Sequence, residues 1–173
     1  MKRKVRVVTY DPAWKDTFAE AELELRTIFE EGDIHHIGST SVEGLSAKPI
    51  IDILIEVDHI ERADEETERM EHHGYVARGE HGIPGRRFFY KGEGEERSLH
   101  IHTFEKGSDG AKRHLAFRDY LRSHPDVKEE YGTLKTLLVK KHPESLEDYM
   151  DGKDPFIKTV EKEALVWRYS DYR

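Results

Sequence analysis

A chain of 173 residues suits one domain and can bury roughly two-thirds of its unfolded surface. Charged residues make up 37% of it, mean hydropathy is −0.81 and no run approaches the roughly 18 apolar residues of a membrane span, while a net charge of −8 argues against a general nucleic-acid binder. With no cysteine there is no disulfide framework or thiolate metal site, no apolar run follows the basic start, and the cytoplasm is the expected compartment.

Residues 5–9 read as a short strand, after which Asp11 suits a helix N-cap and Pro12 its first turn. Trp14, Phe18, Leu25, Ile28 and Phe29 recur at helical spacing as far as Glu31, and Gly32 stops the helix. A short strand at 34–37 leads into Gly38-Ser39. The connection 40–48 has room for a short helix. Residues 50–57 form an apolar run opened by Pro49 and interrupted by Asp52 and Glu56, the pattern of a buried strand.

A helix is expected over 60–73, ended by Gly74, then a strand at 75–78 and a mobile loop at 80–85. Residues 86–91 and 97–104 read as paired strands joined by a polar turn at 92–96. From Ser108 onward helical patterns dominate, at 109–123, 126–141, 145–150 and 155–169, with Pro125, Pro143 and Pro155 at their starts. Strands first and helices afterwards predict an α+β fold. A mixed β-sheet is covered by helices, and 1–173 forms one unit whose helical portion, about 108–173, packs on the sheet.

The chemistry concentrates in 34–57. A glycine lets backbone approach a ligand, and the amides and hydroxyls of Ser39 and Thr40 can donate to phosphate oxygens. Asp52, in mid-strand, needs a hydrogen bond, a cation or a proton. His100 and His102, two apart on a strand, share a face and could meet Asp52 on one metal, where imidazole suits Zn²⁺, Mn²⁺ or Fe²⁺ better than Mg²⁺. The alternative is that both only hydrogen-bond in a polar cleft. Lys48 can balance Asp52 or a phosphate. Arg86 and Arg87 either clamp an anion when their loop closes or pair with the acidic helix, where 61–71 holds six acids and two bases. His36 shares parity with Gly38. In the helical half, Arg118 and Arg122 lie on one helix face and Tyr131 and Lys135 on the next. If those faces meet over the sheet they make a cationic wall for a triphosphate; ion pairs with Asp119 and Glu130 are the plainer account. Lys153 precedes the last helix.

The Gly-Ser turn, a spacer of twelve residues and Asp52 on an apolar strand resemble the opening of the DNA polymerase beta-like nucleotidyltransferase fold. The fuller text H-I-G-S-T-S-V-E-G-L-S-A-K-P-I-I-D-I at 36–53 closely resembles the GrpB family of nucleotidyltransferase-like proteins. So do 10–14, Leu99-His100-Ile101-His102, F-R-D-Y-L-R-S-H-P at 117–125, Y-G-T-L-K at 131–135 and the segment 153–167.

The resemblance implies a metal-dependent nucleotidyltransferase moving a nucleotidyl group from a nucleoside triphosphate to a small acceptor. Gly38, Ser39, Thr40, Lys48, Arg118 and Lys135 would bind phosphate, Asp52 would be catalytic, and Asp52, His100 and His102 would hold a divalent metal. That metal is Mg²⁺ or Mn²⁺, or Zn²⁺ where the histidines are ligands. Active members of this fold place a second carboxylate two residues after the first, where this chain has Leu54; Glu56 lies roughly 13 Å along the strand from Asp52. That departure motivates an alternative, a degenerate module that binds a nucleotide or other phosphorylated metabolite. A hydrolytic metal site ranks behind both, since no base is evident. Neither nucleic acid nor membrane is expected as a partner.

Overall fold

A computed structural model describes residues 4–92 and 99–170. The expected turn beyond Gly92 and the strand start at Arg97 lie outside these residues. In chain order the elements are α1 (Ala13–Ile28), β1 (Asp33–Ile37), β2 (Ile51–Val57), α2 (Glu61–Glu65), α3 (Thr67–His72), β3 (Val76–Ala77), β4 (Arg87–Lys91), β5 (Leu99–Glu105), α4 (Asp109–Ser123), α5 (Pro125–Lys141) and α6 (Leu146–Tyr169). A single 3-10 turn, Ser39–Ser41, follows β1.

The five strands form one mixed sheet in the order β1-β2-β5-β4-β3, in which β2 and β5 run parallel and the other pairs antiparallel. Alternation along β2 sorts its residues between two layers. Ile51, Ile53, Ile55 and Val57 face a core shared with Leu25, Ile28 and Phe29 near the end of α1, Met70 of α3 and Ile101 of β5. Burying such a side chain fully stabilises by about 1.5–3 kcal/mol. Leu54 faces the other way and joins Ile37, Phe104, Ala111 and Leu115 beneath α4. Farther along the helices, Val42 and Leu45 pack with Leu121, Tyr131 and Val160, which fastens the segment after the 3-10 turn to α4, α5 and α6.

Several expected boundaries shift for identifiable reasons. The strand at 5–9 is reduced to one bridge, Val8 to Ala47, because only a short stretch of 40–48 runs alongside it. The first helix begins at Ala13, whose N–H donates to Asp11 Oδ1 at 2.9 Å, and it ends at Ile28. The helix over 60–73 is two pieces, α2 and α3, separated at Glu66 by a backbone of φ −96°, ψ 5°. The two last helices are one. Pro155 lies inside α6, and the buried face formed by Tyr149, Lys153, Val160 and Ala164 outweighs the backbone hydrogen bond a proline removes.

Candidate phosphate site at the Gly38–Ser39 turn

In the β1–β2 register Ile37 stands opposite Asp52, so the turn after β1 begins beside that carboxylate. Gly38 has φ +73°, and a Cβ on it would lie 2.7 Å from Asp52 Oδ2. Only glycine meets both demands, a left-handed φ and close approach to an acid. The turn is then locked from within. Ser41 Oγ donates to Gly38 O at 2.5 Å, and Thr40 Oγ1 donates to Ile50 O at 3.2 Å while lying 2.9 Å from His36 Nε2. His36 is buried and stacks on Phe18, and burial, with Arg122 near it, takes its pKa down to about 4.

Helix α4 holds the same turn from outside. Arg122 donates through Nε and Nη2 to Ser41 O at 3.0 and 2.8 Å. Arg118 donates to His36 O at 3.2 Å and pairs with Asp119 at 2.9 Å. Both arginines thus spend these donors on the turn's backbone, and Arg118 also on the neighbouring Asp119.

Lysines supply the charge at the turn itself. Lys135 of α5 is only 2% exposed, and its Nζ donates to Ser39 Oγ at 2.5 Å and to Ser46 O at 2.9 Å, 4.1 Å from the Tyr131 ring centroid. Burial drives its pKa well below the usual lysine value, helped by Lys153 and Lys48 and opposed by Asp52. Lys153 of α6 sits 4.8 Å from the Tyr149 ring centroid, and burial followed by the charge of Lys48 brings its pKa to about 8. Among the described residues neither Lys135 nor Lys153 forms an ion pair with a carboxylate; the acid that bears on both is Asp52.

Asp52 faces the histidines of β5. His102 Nε2 is 3.0 Å and His100 Nδ1 3.7 Å from Asp52 Oδ1. On its other side His102 Nδ1 lies 3.2 Å from Nη1 of Arg86. A guanidinium only donates, so Nδ1 accepts, and the imidazole proton sits on Nε2 and points at Asp52. Burial works to raise the Asp52 pKa, but the hydrogen bond from His102, with the neighbouring imidazoles of His100 and His114, outweighs it and holds the carboxyl below its ordinary value. His114 of α4 lies 5.2 Å from His102 between ring centroids; its Nε2 is buried without a partner among the described residues, and burial takes its pKa to about 3. Leu54 is fully buried in the core under α4, and Glu56 is paired with His35 at 2.9 Å. Among the described residues no three His, Asp or Glu side chains are grouped to hold a metal ion.

The structure therefore brings Gly38, Ser39, Asp52, Lys135, His100 and His102 to one end of the sheet. Thr40 braces the turn, and Arg118 and Arg122 anchor it. Lys48 bears electrostatically on both buried lysines. Of the two loop arginines, Arg87 pairs with Asp64 at 2.7 Å, the acidic-helix alternative, while Arg86 turns inward. His114 was not legible in the sequence, because its neighbour His102 lies on a different element and no local pattern marks it. A separate depression of about 600 Å³, between Gly44–Ser46 and α5, lies behind the turn and includes neither Asp52 nor Lys135 among its lining residues. No described helix is long and apolar enough to cross a membrane.

A family model described as GrpB protein matches residues 4–163. The UPF0157 protein YqkA of Bacillus subtilis is 47% identical over 169 residues, which cover 96% of this chain and 49% of YqkA, so the chain spans about half the length of that relative. The crystal structure of the conserved protein GrpB from Enterococcus faecalis superposes with a TM-score of 0.90 at 44% identity, over 95% of this chain and all (100%) of that one. Terminal uridylyl transferase 4 from Trypanosoma brucei with bound dUTP reaches a TM-score of 0.55 at 11% identity, covering 88% of this chain and 53% of that one. At such identity the likeness is one of fold, and the fold is nucleotidyltransferase-like.

Proposed function

The chain belongs to the GrpB family, and we propose that it binds the polyphosphate of a nucleoside triphosphate, or of a similar phosphorylated metabolite, at the Gly38–Ser39 turn without turning it over. The observation that carries this reading is Lys135. It is a buried amine fixed on the turn's serine, and its charged form has no carboxylate in ion-pair contact among the described residues. A buried charge is costly unless paired, and an anion at the turn would pair it. Lys153 and Lys48 bring further positive charge to bear on Lys135.

A divalent cation would enter with the phosphates. Asp52 would be its protein oxygen donor, which suits Mg²⁺ or Mn²⁺, and the ion would neutralise phosphate charge there. His102 does not fit as a ligand while Arg86 occupies Nδ1, since the remaining nitrogen then carries its proton. Leu54 favours binding over transfer, because a buried leucine fills the place of the second carboxylate.

The second reading, nucleotidyl transfer to a small hydroxyl or amine acceptor, is favoured by the contact between Gly38 and Asp52, which sets an acid directly beside the phosphate turn. In such transfers the protein chiefly positions groups and offsets charge.

The test is the melting temperature of the native protein, Lys135→Met and Asp52→Ala with each nucleoside triphosphate, with and without Mg²⁺ or Mn²⁺. Ligand at about a hundred times its Kd adds roughly 2.7 kcal/mol, on the order of 5–10 °C here. A shift in the native protein that Lys135→Met abolishes is the expected result; no shift with any triphosphate overturns the nucleotide reading and leaves only another phosphorylated metabolite. Pyrophosphate release in the same mixtures with an acceptor panel would turn binding into transfer.

A further inference from the structure

Arg86 is 6% exposed, yet its partners are all uncharged. Its Nε donates to Glu80 O at 3.2 Å, Nη2 to His81 O at 2.8 Å and Nη1 to His102 Nδ1 at 3.2 Å, and the guanidinium carbon lies 4.8 Å from the Phe88 ring centroid. Arg87, the next residue, has Asp64; among the described residues no carboxylate makes an ion pair with Arg86. A guanidinium carries five N–H donors, so three contacts leave capacity for a further acceptor. The neighbouring charge is of the wrong sign: Arg113 of α4 bears on Arg86 and, after burial, lowers its pKa. Arg113 itself lies 3.4 Å from Glu161. His114, the residue after Arg113, feels the charges of Arg113 and Arg86, and its Nε2 is buried without a partner among the described residues.

An almost buried cation without a counter-ion and an unsatisfied imidazole nitrogen share one unmet need, an oxyanion, and Arg113, though paired with Glu161, adds positive charge beside them. We propose that Arg86, with Arg113 and His114, forms a second anion-binding site, separated from Asp52 by the width of the His102 ring, that takes the carboxylate or phosphate group of a small molecule. Planar, forked recognition of such groups is what guanidinium does well. Its role as the seat of a second ligand beside a nucleotide rests on the reading of the Gly38–Ser39 turn given above. The chemistry of the site does not, because its residues are not those of the lysine cluster.

The experiment follows the Arg86 Nε–H resonance by ¹H–¹⁵N NMR while inorganic phosphate or succinate is added. The proteins compared are the native chain, Lys135→Met, Arg86→Lys, Arg86→Met and His114→Phe, with circular dichroism as the check on folding. The expected result is a saturable shift in the native protein that persists in Lys135→Met. Binding to Arg86→Lys and His114→Phe, followed by calorimetry, should weaken about tenfold, the loss of one charge-assisted hydrogen bond. A response to phosphate alone marks a phosphorylated partner molecule, and a response to succinate marks a carboxylate. No saturable shift with either anion overturns the proposal, as does a shift that disappears in Lys135→Met, which would mean one shared anion site. If Arg86→Met does not fold, the native, Lys135→Met and Arg86→Lys arms decide. Failure of nucleotide binding at Lys135 would leave this result untouched.

Discussion

At Lys153 the balance between burial and charge gives a pH dependence with two opposite signs. Burial and Lys48 lower its pKa to about 8 from the model-compound value of 10.5. Between those values the unfolded chain binds more protons than the folded one, so this group makes the ligand-free protein more stable as pH rises from about 8 to 10.5. Below about 8 the ammonium is charged in both states and its burial cost is fully present. Lys135, depressed in the same direction, adds to the slope. An anion at the turn needs the ammonium form, so its affinity should fall over the window in which ligand-free stability climbs. Urea denaturation between pH 7 and 10, with and without a triphosphate, checks both slopes. Lys153→Met should flatten each, and parallel slopes would remove the two lysines from the ligand's surroundings.

Among the elements, the hairpin β1–β2 and its turn decide the site. Gly38→Ala must find room for a methyl at 2.7 Å from Asp52 Oδ2 while holding φ +73°. A strained backbone of this kind costs on the order of 1–3 kcal/mol, and here the carboxylate must also move. The expected outcome is a stability loss of about 2–4 kcal/mol by denaturant titration, with triphosphate binding abolished. Retained binding would show that the turn does not touch the ligand. The face of β2 sets a second test. Leu54→Asp would restore the carboxylate spacing of active transferases but place a charge in the core formed with Ile37, Phe104 and Leu115. An uncompensated buried charge costs about 3–5 kcal/mol, so the variant should lose stability rather than gain metal affinity. A melting temperature equal to native, or a cation affinity raised by the new acid, would contradict that reading.

These elements also show how much the sequence revealed. The glycine, the serine and Asp52 were visible because backbone approach and a lone acid on an apolar strand leave local marks, and the α+β layout followed from where strand and helix periods fall. Lys135 was found through its four-residue spacing from Tyr131, though that spacing said nothing of Ser39 as its partner. For Arg118 the sequence said nothing of its partner, since a cation on a helix reads alike whether it serves a ligand or a carbonyl such as His36 O. The continuity of α6 through Pro155 was hidden because packing of Val160 and Ala164 is a tertiary fact. His114 and the inward turn of Arg86 arise from contacts between elements distant in the chain, and residue-by-residue patterns hold no trace of them.

For the whole molecule, the parallel pairing of β2 with β5, which sets Ile51 against Leu99, has a kinetic side. That pair closes across α2, α3, β3 and β4, and contacts so far apart in sequence form slowly. The hairpin carrying Gly38 and Asp52 is local and has no such delay. Lys135 and Lys153 come from helices farther along still, so synthesis delivers the buried cations after the acid they lie near. A chain emerging from the ribosome would present the turn early and the charge that completes it last. Ligand capture would then report completion of folding, and a phosphorylated metabolite in excess would select finished molecules over partly folded ones.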